Sequence, residues 1–202
     1  MKLYFHYCTF GFGNCYVLGA GEHSDAVIID PGNMDEHILE CIETNDFYLR
    51  AVLITHDHIG HVRGLRTLKK IYQLDVYAVN HMILDSKTTL IKDGDKFNIG
   101  SLNIEVISIP GHSSDSAVYL IDSFLFTGDA LTSGMVGTTD SAYGEATQLG
   151  KLRSRLLSLP GDYTVLPGHG PPSSLEAERR FNVGINSYNE KKTRRPAFRL
   201  DI

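Results

Sequence analysis

Five histidines, together with Asp129, stand in four short polar clusters, each directly after an apolar, strand-like run. Thr55-His56-Asp57-His58-Ile59-Gly60-His61 follows Ala51–Ile54, and Pro110-Gly111-His112-Ser113-Ser114-Asp115-Ser116 follows a run ending near Ile109. Thr127-Gly128-Asp129 follows Phe124–Phe126, and Pro167-Gly168-His169-Gly170 follows Leu166. Imidazole nitrogen and carboxylate oxygen together suit Zn²⁺ or Fe, whereas Mg²⁺ and Ca²⁺ prefer shells of oxygen alone. His56 and His58 are two residues apart, so extended backbone points both to one side. His61 lies beyond the turn at Gly60 and reaches a neighbouring position. The pattern predicts a metal centre built from His56, His58, His61, His112, Asp129 and His169. The other four histidines, His6, His23, His37 and His81, fall outside the clusters and read as ordinary core or surface residues.

Loops leaving rigid strand ends can converge at one sheet edge, so the elements between the clusters decide whether the six residues meet. Short β-rich runs come first (Leu3–Tyr7, Cys15–Leu18, Ala26–Ile29), the last stopped by Asp30-Pro31-Gly32. Ile38, Leu39 and Ile42 recur at helical spacing within Asp35–Thr44. Strand Ala51–Ile54, a helix at Leu65–Tyr72 and strand Val76–Val79 follow. Beyond the Asp93-Gly94-Asp95 turn, Phe97–Ile99 and Leu102–Ile107 read as paired strands, as do Ala117–Ile121 and Phe124–Thr127. Leu149–Leu159 reads as a helix, Thr164–Leu166 as a buried strand, and a last helix runs from Leu175 towards Asn186. The basic tail (Lys191, Lys192, Arg194, Arg195) reads as solvated. Hairpins, then strands interleaved with helices, then the same half-pattern again, predict a four-layer αββα sandwich.

The chain has 202 residues, read as one domain over 1–202 that buries roughly 70% of its unfolded surface. Nineteen Lys and Arg against 24 Asp and Glu leave a net charge of −5, which argues against a nucleic-acid partner. The uninterrupted apolar runs are strand-sized, far below the ~20 residues of a membrane span, and the start lacks a secretory pattern. Three cysteines fit neither a disulfide framework nor a thiolate zinc site. The expectation is a cytoplasmic protein with reduced thiols and a small-molecule substrate, bound to neither nucleic acid nor membrane. Nothing in the sequence sets its oligomeric state.

These motifs, in this order, resemble the metallo-β-lactamase fold superfamily and its glyoxalase II-like hydrolases. Thr55–His61 resembles the signature His-x-His-x-Asp-His, and Pro110–Ser116 the segment Pro-Gly-His-Thr-x-Gly-Ser. Phe126–Asp129 is similar to Phe-Thr-Gly-Asp, and Leu166–Pro171 to Leu-Pro-Gly-His-Gly-Pro. Asn14–Leu18 and Ile28–Gly32 look like the opening strands. The resemblance implies His56, His58 and His112 on a first metal, His61 and His169 on a second, and Asp129 bridging. It further implies a metal-held hydroxide that attacks a small thioester or ester.

The signature aspartate, however, is here Gly60. Three readings follow: Asp115 could substitute for the missing carboxylate, Asp57 could turn in or accept from an imidazole N–H, or the site could hold one tight metal. An arginine of the glyoxalase-like Gly-Arg-x-Asp pattern is also lost at Gly137-Thr138-Thr139-Asp140. There is no room for the C-terminal helical domain that holds glutathione in the larger enzymes. Glu178-Arg179-Arg180-Phe181-Asn182 resembles the ending of the short forms, and Arg179, Arg180 and Tyr143 could touch substrate. The leading reading is a metal-dependent hydrolase with Zn²⁺ or Fe. The alternatives are a non-haem iron persulfide dioxygenase and a degenerate metal-binding protein that is not an enzyme.

Overall fold

The computed structural model describes residues 1–186, so the basic tail lies outside the described residues. Strands β1 (Lys2–Tyr7), β2 (Asn14–Gly19) and β3 (Asp25–Ile29) pair antiparallel in sequence. Helix α1 (Glu36–Thr44) crosses to β4 (Tyr48–Leu53), which lies parallel to β3. Two short helices, α2 (Ile59–Val62) and α3 (Leu65–Ile71), lead to β5 (Asp75–Ala78), parallel to β4. A small hairpin of β6 (Met82–Ile83) and β7 (Ser86–Lys87) then leads to β8 (Thr89–Leu90), which completes a sheet ordered β1-β2-β3-β4-β5-β8.

The second half repeats the plan. Strands β9 (Lys96–Ile99), β10 (Leu102–Ser108), β11 (Ala117–Ile121) and β12 (Phe124–Gly128) form an antiparallel meander. The hairpin β13 (Leu131–Thr132) and β14 (Met135–Val136) precedes helix α4 (Ala142–Lys151), which runs on into a π-helical turn at Leu152–Leu156. Strand β15 (Thr164–Pro167) returns parallel to β12, and β16 (Ser173–Ser174) gives way to α5 (Leu175–Phe181). The second sheet is ordered β16-β15-β12-β11-β10-β9.

Strand side chains alternate between faces, and the packing follows that alternation. On β3, Val27 and Ile29 face the other sheet, while Ala26 and Ile28 face α1 and α3. Tyr16, Leu18, Leu53, Ile104, Tyr119 and Phe126 belong to the core between the sheets. Ile38, Ile42, Leu65 and Leu68 cover one outer face; Leu149, Leu152, Leu156 and Leu175 cover the other against Val118, Leu125 and Val165. Three separate apolar layers between four structural layers make the αββα sandwich expected from the sequence.

Several elements differ from that expectation, and the last helix, expected to run from Leu175 towards Asn186, ends at Phe181 because Asn182 leaves the helical backbone. Helix α4 begins at Ala142 rather than Leu149, with Ser141 as its N-cap accepting from the Gly144 amide. Gly144 and Gly150 dilute the periodic signal there. His61, expected in a loop, sits on the single turn of α2, its amide bonded to the His58 carbonyl at 2.8 Å.

Candidate metal centre

The loops after β4, β10, β12 and β15 meet at one end of the sandwich, and the loop after β3 joins them. The ligand atoms of His56, His58, His112 and Asp129 all lie within 4.8 Å of one another. His56 Nε2 is 3.0 Å from His58 Nδ1, and His112 Nε2 is 3.1 Å from the same atom. Asp129 Oδ2 lies 3.8 Å from His56 Nε2 and 3.6 Å from His112 Nε2. A tetrahedral ion with bonds of about 2.0–2.1 Å would hold its ligands about 3.3–3.4 Å apart, and these edges straddle that value.

The donor chemistry fits a cation as well as the distances do. His112 Nδ1 donates to the Thr138 carbonyl at 2.8 Å, so its Nε2 presents a lone pair. The Thr55 hydroxyl donates to Asp30 Oδ2 at 2.6 Å and so accepts from His56 Nδ1 at 3.1 Å, leaving a lone pair on His56 Nε2 too. Both lone pairs face His58 Nδ1, whose one proton could satisfy only one of them. Burial first, and then the nearby His61, push the His56 imidazole down to about 3, keeping it neutral as a ligand must be.

A second corner adjoins the first. His61 Nδ1 donates to Asp30 Oδ2 at 3.1 Å, while its buried Nε2 has no hydrogen-bond partner and lies 3.5 Å from Asp129 Oδ2. Burial opposes charging of this ring, but the Asp129 and Asp30 carboxylates outweigh it and raise His61 to about 10. His169 Nδ1 donates to Asp129 Oδ1 at 2.7 Å. Burial disfavours the Asp129 carboxylate, yet His169 and His61 hold it well below the usual carboxylate range. Gly168 makes this crowding feasible: a Cβ there would stand 2.5 Å from Asp129 Oδ1 and 2.6 Å from His61 Cε1.

The structure does not bring Asp115 to this cluster. Its Oδ2 accepts from the Asp57 amide at 2.9 Å and the Asn80 side chain at 3.0 Å, which ties the His56–His58 segment to the loop after β10. Asp115, one of the three readings for the missing carboxylate, is not among the gathered ligand atoms, and its Oδ2 braces the loop instead. Asp57 does not turn in either: the residue is exposed and is not among those whose ligand atoms gather here. Arg179 is structural, donating to the Leu157, Leu159 and Gly161 carbonyls; Arg180 pairs with Glu176, and Tyr143 is exposed.

The sequence reading missed Asp30 as a site residue. It stands at a strand exit like the other clusters, its Oδ1 accepting from the Thr55 amide at 2.8 Å. That shared placement was the available signal. Also missed was the hairpin β13–β14, whose Met135 and Val136 wall a cleft of about 230 Å³ with Thr138 on one side and His112, Asp129 and His169 on the other. None of the described residues lining it is a Lys or Arg.

An αββα sandwich carrying a His/Asp cradle where strand ends meet defines a class of metal-binding protein. Residues 8–81 and 81–169 match the metallo-beta-lactamase superfamily. The chain is 33% identical over 205 residues to an uncharacterised protein of Mycobacterium tuberculosis, spanning 84% of this chain and 91% of that one. It is 27% identical over 198 residues to the hydroxyacylglutathione hydrolase GloC of Haemophilus influenzae, spanning 86% and 93%. Among solved structures it is similar to ETHE1 from Myxococcus xanthus, with a TM-score of 0.79 and 28% identity over 91% of this chain and 84% of that one. The chain belongs to the metallo-beta-lactamase superfamily, in its glyoxalase II-like branch. No helix among the described residues is long and apolar enough to cross a membrane.

Proposed function

We propose that the protein is a metal-dependent hydrolase of small thioesters or esters. The observation that carries this reading is the His56–His58–His112–Asp129 cradle, of which His112 and Asp129 open with His169 onto a cleft with one apolar wall. The similarity to a hydroxyacylglutathione hydrolase supports the thioester class. A bound Zn²⁺ or Fe ion supplies a water acidified from ~15.7 towards ~7 and a Lewis acid for the carbonyl oxygen.

The chain's own residues do the rest. Thr138 and Thr55 fix the ring tautomers of His112 and His56, so the ligand nitrogens need no rearrangement. His169 holds Asp129 Oδ1, which leaves Oδ2 facing the cradle. Met135 and Val136 offer an apolar surface to an acyl chain, and the absence of Lys and Arg among the described lining residues favours an uncharged acyl group over a polyanionic one.

The test is turnover of a panel of thioesters, esters and lactones by Zn²⁺- and Fe-loaded protein. Cleavage of a thioester is expected, abolished by chelation and by His112→Ala. Protein carrying its full metal that cleaves nothing in the panel would defeat the hydrolase reading. Two imidazoles and a carboxylate on iron can also serve oxidative chemistry. Oxygen uptake by the iron-loaded protein on adding glutathione persulfide, without hydrolysis, would establish the oxidative reading in its place.

A further inference from the structure

We propose that Arg63, stacked on Phe10 beside the metal centre, is the subsite for a carboxylate on the thiol half of the substrate. That the anion belongs to a thioester rests on the hydrolase reading; that an anion binds at Arg63 does not.

Arg63 is the first residue after α2, the turn that carries His61. Its guanidinium carbon stands 3.5 Å from the centroid of the Phe10 ring. Guanidinium N–H groups lie in one plane, so a ring beneath that plane steadies the cation and engages none of its donors. Every other arginine among the described residues pairs with a carboxylate or donates to a backbone carbonyl. The Arg63 side chain does neither among the described residues, although acidic residues outnumber basic ones in a chain of net charge −5. It is also exposed. A cation laid on an aromatic face with its donors open is prepared for a planar anion from outside the chain. A carboxylate meets such a fork through two parallel hydrogen bonds.

This platform adjoins the metal centre. Arg63 is two peptide units from His61, so their Cα atoms are at most about 7.6 Å apart. Phe10 leads into the loop at 11–13. There the Gly11 carbonyl oxygen lies 3.3 Å from His169 Nε2, and a Cβ on Gly11 would stand 2.7 Å from Gly60 Cα. Both ends of the loop are fixed, the Cys8 amide bonding to the Gly13 carbonyl at 2.8 Å and the Asn14 amide to the Gly168 carbonyl at 2.7 Å. Phe10, Phe12 and Ile59 remain exposed, a hydrophobic surround for the guanidinium.

His169 borders both this loop and the cleft walled by Met135 and Val136. A thioester with its acyl group in that cleft sends its thiol half past His169 towards the loop and Arg63. A thiol of tripeptide size spans about 10 Å when extended, which suits that path. The two halves of the substrate are then told apart by charge. No Lys or Arg is among the described residues lining the acyl cleft, while the thiol half meets one open guanidinium. A single positive charge suits a carboxylate better than a chain of phosphates.

The test compares thioesters that share one acyl group and differ in the thiol: glutathione, glutathione diethyl ester, in which both carboxylates are masked, and coenzyme A. For the metal-loaded wild type, kcat/KM is expected to be about 3- to 10-fold higher with the glutathione thioester than with the diester, the difference lying in KM. Arg63→Gln should bring that ratio close to 1, and Arg63→Lys should restore only part of it, because an ammonium lacks the planar fork. An unchanged ratio in Arg63→Gln would overturn the proposal, as would an Arg63 dependence confined to the coenzyme A thioester. Calorimetry with S-hexylglutathione, a thioether that cannot be hydrolysed, reads the subsite without turnover. Binding to the wild type that weakens about 3- to 10-fold in Arg63→Gln upholds the subsite even if no thioester is cleaved. No binding to the wild type, or equal binding to both proteins, would sink the subsite and leave the hydrolase reading to its own assay.

Discussion

Removing the Asp115 carboxylate would free the Asp57 amide and the Asn80 side chain, the two donors that tie the His56–His58 segment to the loop after β10. Asp115→Ala is therefore expected to leave the number of bound ions unchanged at saturating metal. Affinity should fall about 10–100-fold, as loss of an outer hydrogen-bond partner does at other metal sites. Competition against a chromophoric chelator measures this, and a lower stoichiometry would make Asp115 a ligand after all. The same scale separates His56 from His61. Both are buried near Asp30 and Asp129, but the two carboxylates act on His61 more directly, Asp30 through a hydrogen bond, so burial drives the first towards neutrality and charge drives the second the other way.

Helix α5 acts on the cleft at a distance. Glu178 is buried and accepts from the Gly134 amide through both oxygens, at 3.0 and 3.1 Å, and from Ser173 and Asn182 at 2.6 Å each. Gly134 is in the turn between β13 and β14, so this one carboxylate pins the apolar wall of the cleft. Glu178→Ala leaves several buried donors unsatisfied and is expected to cost about 1–3 kcal/mol by urea denaturation. It should also raise KM for substrates with longer acyl chains more than it lowers kcat. Glu178→Gln, whose carbonyl oxygen can still accept from the Gly134 amide, should recover part of both. Unchanged stability in Glu178→Ala would mean that the hairpin stands without it.

The two sheets meet at the cradle: His56 and His58 follow β4 of the first, while His112 and Asp129 follow strands of the second. A bound ion therefore clips together the open ends of the sandwich, whose centre is already closed by apolar packing. Ligand linkage gives about 2.7 kcal/mol of stabilisation at an ion concentration 100-fold above Kd. For a chain of this size that corresponds to about 5–10 °C in Tm. Thermal melts with and without a chelator should differ by that amount, and restoring Zn²⁺ should restore the difference. Identical melts would show that no ion is held at this end.

Most strands and helices, the four-layer plan and the placement of the six candidate residues in loops at strand exits were legible in the sequence, because these follow from local patterning. Alternation along a strand and the position of His56, His112, Asp129 and His169 immediately after apolar runs are properties of neighbouring residues. What neighbouring residues could not decide was where a freed side chain would be used. Asp115 looks like a displaced ligand until the Asp57 amide is found opposite it, 58 residues away in the chain. Asp30 and Glu178 act through partners distant in sequence, and a hydrogen bond between such partners exists only once the sheets have brought them together.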